Sequence, residues 1–307
     1  MDRIEAMTIL LAVIEKGSFS AAARDMRVPV QTISRKIADL ESHLGTQLLA
    51  RTTRTLALTD TGMAYAGAAK RIVEFVEEAE REAAGEFVAP KGDLVITAPL
   101  CFGRLHVVPI VSDFLAQFPE INIRLVLDDR NVNLLDDQVD MAVRIGQLPD
   151  SAMIATKVGA IRGVVCASPT FLAKYGIPQK PDDLRDLPCV SPDGPNATCS
   201  WRFRDPAKGS IFELPITPRL TTNAEAALEA AVRGVGLSRQ LHYQIDEAVR
   251  AGQLAIVLDG FELEPFPVHL VHAARAQMPL KMRRFLDFAA PRLRKAIRLL
   301  GSASGAK

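Results

Sequence analysis

Apolar residues in the first part of the chain recur at helical spacing. Ile4, Met7, Leu11 and Ile14 step by three and four, which sets them on one face of a helix. Ile33, Ile37, Leu40 and Leu44 step by four, three and four, and the opposite face of that helix carries Gln31, Ser34, Arg35 and Ala38. Between these two blocks a short helical stretch, SFSAAARDM, ends at Met26, and the chain passes through Arg27-Val28-Pro29 before the next helix begins. Pro29 has no amide hydrogen to lose at a helix start and disfavours helix for Val28, so the turn is written locally. Gly45 suits the left-handed residue that closes a helix. Two short helices joined by a tight turn, the second polar outward, make the helix-turn-helix pattern.

Further along, TQLLARTTRTLALTDTG places Leu48 and Leu49 inward. Arg51, Thr52, Thr53 and Arg54 form a basic, hydroxyl-rich loop before the short extended segment Leu56-Ala57-Leu58. A long helix follows from Thr59. Tyr65, Ala69, Ile72, Val76, Ala79 and Ala83 alternate steps of four and three, a narrow seam that pairs with another helix. Glu74, Glu77, Glu78 and Glu82 keep its other side wet. Pro90-Lys91-Gly92 mark a hinge, after which the pattern alternates strand and helix, as parallel α/β units do. Strands are expected at 94–99, 121–129 and 140–146, with a helix at about 103–117. RGVVCAS at 162–168 opens a second α/β set, with Ser168-Pro169 as a helix start. Extended CSWRFRD and ELPITPRLTT, two helices at NAEAALEAAVRG and HYQIDEAVRAG, a strand at FPVHLVHAAR and a basic closing helix over 279–299 complete the chain.

Composition narrows the class. At 307 residues two or three domains are expected, each able to bury a core. Hydrophobic residues at 48% with 24% charged suit a soluble globular chain, and a net charge of +1 means that any basic surface is local. Residues 26–54 hold five Lys and Arg against Asp39 and Glu41. Glu5 and Glu15 interrupt the N-terminal apolar run, which therefore reads as a helix face and not a signal peptide, and no stretch approaches a membrane span. Cys101, Cys166, Cys189 and Cys199 are widely spaced without a CxxC, so a cytoplasmic, reduced protein without a structural metal is expected.

The order of these parts resembles the LysR-type transcriptional regulators over essentially the whole chain. FSAAA (19–23), SRKIADLE (34–41), LG (44–45), LLAR (48–51) and LT..G (58–62) sit in the family's order and spacing. The resemblance implies a winged helix-turn-helix at 1–59, a dimerising linker helix at 60–89 and a two-lobed, periplasmic-binding-protein-like effector domain at 91–307. Lobe one is expected at about 91–163 plus 266–300, and lobe two at about 164–265. Implied partners are double-stranded DNA at a pseudo-palindromic operator, a second copy or three further copies of the chain, and a small-molecule effector of unknown identity. No membrane partner and no cofactor are implied. The linker-helix seam would then be the dimer contact.

Ser34 and Arg35 match the family's base- or phosphate-contacting pair, and Arg can bridge guanine O6 and N7 in the major groove. Gln31, one turn earlier, has the amide geometry for adenine. Ser18 and Ser20, at a helix start where hydroxyls and free amides suit a phosphate, and Arg51, Thr52 and Arg54 in the wing complete the candidate DNA contacts. In two-lobed α/β domains ligands bind at strand ends, often against helix N-termini. The candidate effector residues are accordingly Thr97, Pro99, Leu100, Cys101 and Phe102 after the first strand, Asp128, Gly146, Asn223 as either ligand or helix cap, and Trp201 as either pocket wall or core. Pro99-Leu100-Cys101-Phe102 is more apolar than the hydroxyl-bearing loop of many relatives, which argues against a simple carboxylate effector.

Other classes fit less well. The five histidines form no HExxH, and neither GxSxG nor GxxxxGK[ST] occurs, so no enzymatic site is expected. The resemblance also brings a rival mechanism, a thiol-based redox switch using Cys189 and Cys199, ten residues apart across SPDGPNAT. A free-standing solute-binding protein fits neither the absent signal peptide nor the attached helix-turn-helix.

Overall fold

A computed structural model describes residues 1–51, 56–83, 89–130, 134, 139–148, 153–192, 200–274 and 278–302. The chain divides into two compact units, Met1–Ala89 and Pro90–Lys307.

In the first unit α1 (Arg3–Lys16) starts where the Asp2 carboxylate accepts the Ile4 and Glu5 amides at 2.9 and 3.2 Å. It ends at Gly17 in the left-handed region. Helix α2 (Phe19–Met26) closes on Arg27, which adopts φ +56, and α3 (Val30–Leu44) opens behind Pro29 and closes on Gly45. The expected break is therefore built from one strained non-glycine residue and one proline. Strands β1 (Leu49–Arg51) and β2 (Leu56–Leu58) form an antiparallel hairpin with Leu49 opposite Leu58.

Ile33, Ile37 and Leu40 are fully buried with Leu10, Val13, Ala22 and Leu48, each large side chain contributing about 1.5–3 kcal/mol of burial. Two expectations shift. Leu44, expected inward, is exposed at the helix end. On α1 the deepest face is Ala6, Ile9, Leu10 and Val13, while Ile4, Met7, Leu11 and Ile14 are half-buried, because α1 is flanked by α2, α3 and α4 (Asp60–Ala83) on different sides.

Three contacts explain the spacing of residues 41–62 around the wing. The Glu41 carboxylate accepts the amides of Leu48 and Leu49 at 2.8 and 3.1 Å, tying α3 to β1. The Thr59 hydroxyl oxygen accepts the Gly62 amide at 2.9 Å and starts α4. At Gly62 the Leu48 carbonyl comes so near that a side chain has no room.

The second unit holds two five-stranded mixed sheets. Sheet one has the order β4-β3-β5-β14-β6, from β3 (Gly92–Ala98), β4 (Ile121–Leu127), β5 (Met141–Ile145), β6 (Met153–Ile161) and β14 (Phe266–Ala273). Its β3–β4 and β3–β5 pairs are parallel, whereas β14 runs antiparallel to both β5 and β6. Sheet two has the order β11-β8-β12-β7-β13, from β7 (Gly163–Ala167), β8 (Cys189–Pro192), β11 (Pro218–Thr222), β12 (Leu237–Leu241) and β13 (Ala255–Val257). The hairpin β9 (Ser200–Arg204) and β10 (Ile211–Pro215) lies beside it. The chain crosses from sheet one to sheet two between Ile161 and Gly163 and returns at Phe266, so the second lobe is inserted in the first. The purely parallel alternation expected from the sequence is thus corrected to mixed sheets, with β6 an additional edge strand.

Helices α5 (Leu100–Phe102), a π-helical turn at Gly103–Val107 and α6 (Val108–Gln117) run on without a break. Helix α7 (Pro169–Tyr175) begins where the Ser168 hydroxyl accepts the Phe171 amide, and α8 (Ala224–Val232) where the Asn223 amide oxygen accepts that of Ala226. Helices α9 (His242–Arg250) and α10 (Leu280–Ser302) follow. Lobe one packs Leu94, Ile96, Phe114, Phe285 and Leu293 around β3; lobe two packs Phe171, Trp201, Phe203 and Leu237 around β12 and the hairpin.

Candidate functional site

Helix α3 divides into a buried back and a polar front. Behind it lie Ile33, Ile37 and Leu40; in front, Gln31, Arg35 and Ala38 are exposed and Ser34 is half-buried. Lys36, between these faces, pairs with Glu5 of α1, which fixes the helix against its own unit and keeps that cation out of the front. Val30 is 42% exposed at the start of the same front. Ser20 is exposed, while the Ser18 oxygen is engaged as the cap of α2, accepting the Ala21 amide at 3.1 Å; its O–H can still donate outward. Arg51 ends β1, and Thr52 and Arg54 lie outside the described residues.

The expected linker seam divides. Tyr65 packs against the core of its own unit and Ala69 is buried there, so these two are held within the chain. Ile72 and Ala79 are exposed and Val76 is half-buried; the side chain of Ala83 lies outside the described residues.

In the second unit a cavity of about 280 Å³ opens between the lobes, lined by Cys101 and Arg104 from lobe one and by Ala224, Glu225, Leu228, Glu229 and Gln244 from α8 and α9. The Arg104 guanidinium reaches Glu225 at 3.4 Å across the gap. Glu229 is held by Arg233 at 2.6 Å, and the Gln244 amide oxygen accepts the Leu241 amide at 2.8 Å. Burial raises the Cys101 thiol above its ordinary value, with the nearby Arg104 partly offsetting it. The cavity therefore offers one cation, two carboxylates and an apolar floor.

The expected effector residues scatter around this cavity. Cys101 lines it and Asn223 caps the helix that bounds it. Phe102 is buried instead in the lobe-one core, its ring 5.4 Å from Tyr243 of α9 and 4.9 Å from His106. Thr97 is fully buried on β3 with an unpartnered hydroxyl, and Pro99 and Leu100 are half-buried beside it. Asp129, and not Asp128, accepts the Leu100 amide at 3.0 Å; the Asp128 carboxylate accepts the Arg130 amide. Gly146, at φ +113, donates to the Pro267 carbonyl. Trp201 is core, packed with Leu214 and Phe203 in the β9–β10 hairpin, on the buried face of the alternation along β9. Arg104, Glu225, Leu228, Glu229 and Gln244 escaped the sequence analysis. The i,i+4 pair Glu225–Glu229 on an otherwise alanine-rich helix was the signal available.

The comparisons with known proteins decide the family. Residues 4–63 match the bacterial regulatory helix-turn-helix protein, lysR family, and residues 89–294 match the LysR substrate binding domain. The chain belongs to the LysR family. This LysR-type chain is 34% identical to an HTH-type transcriptional regulator of Xanthomonas campestris over 93% of its own length and 84% of that protein. It is 32% identical to an HTH-type transcriptional repressor of Pseudomonas aeruginosa over 94% and 91%. The solved structure of CrgA, a LysR-type regulator of Neisseria meningitidis, matches with a TM-score of 0.60 at 31% identity, over 94% of this chain and 98% of that one. The protein is a DNA-binding transcriptional regulator with an effector-controlled domain. Among the described residues no single helix is long and apolar enough to cross a membrane.

The rival thiol mechanism gains nothing from this arrangement. Cys189 is buried and burial pushes its thiol up to about 12, as it does for Cys166, so neither is a thiolate at neutral pH. Cys199 lies outside the described residues.

Proposed function

We propose that α3 enters the major groove with Gln31, Ser34 and Arg35 toward the base edges and Val30 against a thymine methyl. Ser18 and Ser20, together with the wing residues Arg51, Thr52 and Arg54, hold the phosphates. Two chains paired through the outer part of the α4 seam, Ile72, Val76, Ala79 and Ala83, set two such helices on a pseudo-palindromic operator, and effector domains pair again into a homotetramer. The chain works in the cytoplasm by binding and not by catalysis. Its domains follow the limits 1–59, 60–89 and 91–307. A small molecule enters the inter-lobe cavity and changes the lobe geometry. Its chemistry combines an anionic group for Arg104, a cationic or hydrogen-donating group for Glu225 and Glu229, and an apolar body against Leu228. Thr97, Pro99, Leu100, Asp128 and Gly146 lie at or beside strand ends of the same lobe but are not part of the cavity lining.

The observation that carries this reading is the pairing of charges across the cavity mouth, Arg104 with Glu225 at 3.4 Å, which a zwitterionic ligand can replace on both sides. Thermal melting across a panel of amino acids and small amino-aromatic acids tests it. A compound that raises Tm of the wild type and loses that effect in Leu228→Trp supports the cavity. Binding that is unchanged in Leu228→Trp and in Arg104→Gln contradicts it.

A further inference from the structure

The chain is nearly neutral overall, but its charge is not evenly spread. Helix α10 carries Lys281, Arg283, Arg284, Arg292, Arg294, Lys295 and Arg298 against the single acid Asp287. The whole chain has 37 Lys and Arg and 36 Asp and Glu; taking away the seven cations and one acid of α10 leaves 30 against 35. The helix is thus a basic strip on a chain that is otherwise net acidic.

The strip is ordered by the packing of the opposite face. Met282, Phe285, Ala289, Leu293 and Ile297 are buried in the lobe-one core, and at 3.6 residues per turn this turns all six arginine and lysine side chains from Arg283 to Arg298 to solvent, where each is exposed. Two are held in place. The Arg292 guanidinium stacks on the Phe288 ring at 3.4 Å and donates to the Phe288 carbonyl at 3.0 Å, and Arg294 donates to the Lys157 carbonyl of β6 at 3.5 Å. Among the described residues, Arg283, Arg284, Arg294, Lys295 and Arg298 make no ion pair with an acid. From Arg283 to Arg298 the row extends about 22 Å at 1.5 Å per residue.

We propose that this face of α10 binds the phosphate backbone of duplex DNA, a second, sequence-independent contact beyond the winged helix. It rests on the DNA-binding reading above. Five of the seven cations are arginines, whose planar forks suit phosphate oxygens. A protein-docking face needs a desolvated apolar or aromatic anchor at its centre; here the central ring, Phe288, is already covered by Arg292, and the exposed Leu299 stands beyond Arg298 at the end of the row. A row of cations without such an anchor fits a polyanion, which B-DNA presents at one charge per about 1.7 Å of axis.

The full chain is titrated with an operator-bearing duplex from upstream of its gene and with unrelated duplex of equal length, across a salt series. The proteins compared are wild type, Arg283→Gln/Arg284→Gln/Arg294→Gln/Lys295→Gln, and the same four positions as Lys. The Gln variant is expected to weaken binding to both duplexes by the same factor and to flatten the log Kd against log salt slope by about 2–4. The preference for the operator and the Tm stay unchanged, and the Lys variant behaves as wild type. An unchanged slope in the Gln variant overturns the proposal. So does a Gln variant that keeps its DNA affinity but loses transcriptional output, which assigns the strip to an acidic protein. A wild type that binds no duplex at any salt overturns both this proposal and the DNA-binding reading, whereas a variant effect on unrelated duplex without operator preference in wild type leaves the strip and removes only the reading of α3.

Discussion

A Cβ on Gly62 would stand 2.0 Å from the carbonyl oxygen of Leu48. That oxygen also accepts the Thr59 amide at 3.0 Å, so it cannot swing away without opening the junction between the wing and α4. Gly62→Ala is therefore expected to destabilise the N-terminal unit by about 1–3 kcal/mol, the usual range for forced overpacking. Urea unfolding read by circular dichroism checks it. Stability equal to wild type would show that the junction yields.

Glu41 works on the same junction from the other side. Its carboxylate serves two amides, those of Leu48 and Leu49, and removing it strands both in a partly buried place. Glu41→Ala is expected to cost about 1–3 kcal/mol, with Glu41→Gln milder because one amide oxygen remains to accept. The two variants ordered by stability, Gln above Ala, are the diagnostic result.

Acid should weaken the second unit through its histidines. Burial lowers the pKa of His106, with no charged partner opposing it, and also that of His242 and His269. A group whose folded pKa lies below its unfolded value leaves the unfolded chain holding more protons. Its contribution is thus complete above the ordinary value of about 6.5 and drains away as pH falls through the lowered one. The urea midpoint is expected to drop between pH 7.5 and 5. His106 has a buried, unpartnered Nε2, so His106→Phe loses no hydrogen bond and should show a shallower drop than wild type. A steeper drop in that variant would assign the pH effect elsewhere.

The thiols give a chemical check. With Cys166 and Cys189 buried and pushed up to about 12, a thiol-specific reagent such as DTNB is expected to leave both untouched in the native chain and to reach them only in denaturant. Fast native labelling of Cys189 would revive the redox switch.

Local rules made the first unit readable. Pro29, Gly45 and the spacing of Ile33, Ile37 and Leu40 act within one or two turns, so a linear pattern carries them. Asp2 and the left-handed Arg27 were less visible, since a cap at the second residue and a strained arginine leave no periodic trace. Tyr65 and Ala69 show the limit of a heptad seam: spacing marks a face but not whether it meets another chain or, as here, α1 and the core of its own unit. In the second unit β6 went unseen because it is an edge strand whose Met153 and Ile154 are exposed, blurring the alternation, and whose Gly159 exists to admit Ile297 of α10. Phe102 follows the first strand and Trp201 is the sole tryptophan, and neither fact tells where the side chain packs: both lie in lobe cores. The cavity itself is assembled from Cys101 and Glu225, more than a hundred residues apart in the chain, and no local pattern joins them.

The most direct test of the central claim is fluorescence anisotropy with the duplex from upstream of the gene, across a salt series, comparing wild type with Arg35→Ala. Wild type is expected to prefer this duplex to unrelated DNA, with a steep salt dependence. Arg35→Ala should lose about 1–3 kcal/mol of that preference while keeping most of its non-specific affinity. Equal preference in both proteins would contradict the assignment of α3 as the reading helix.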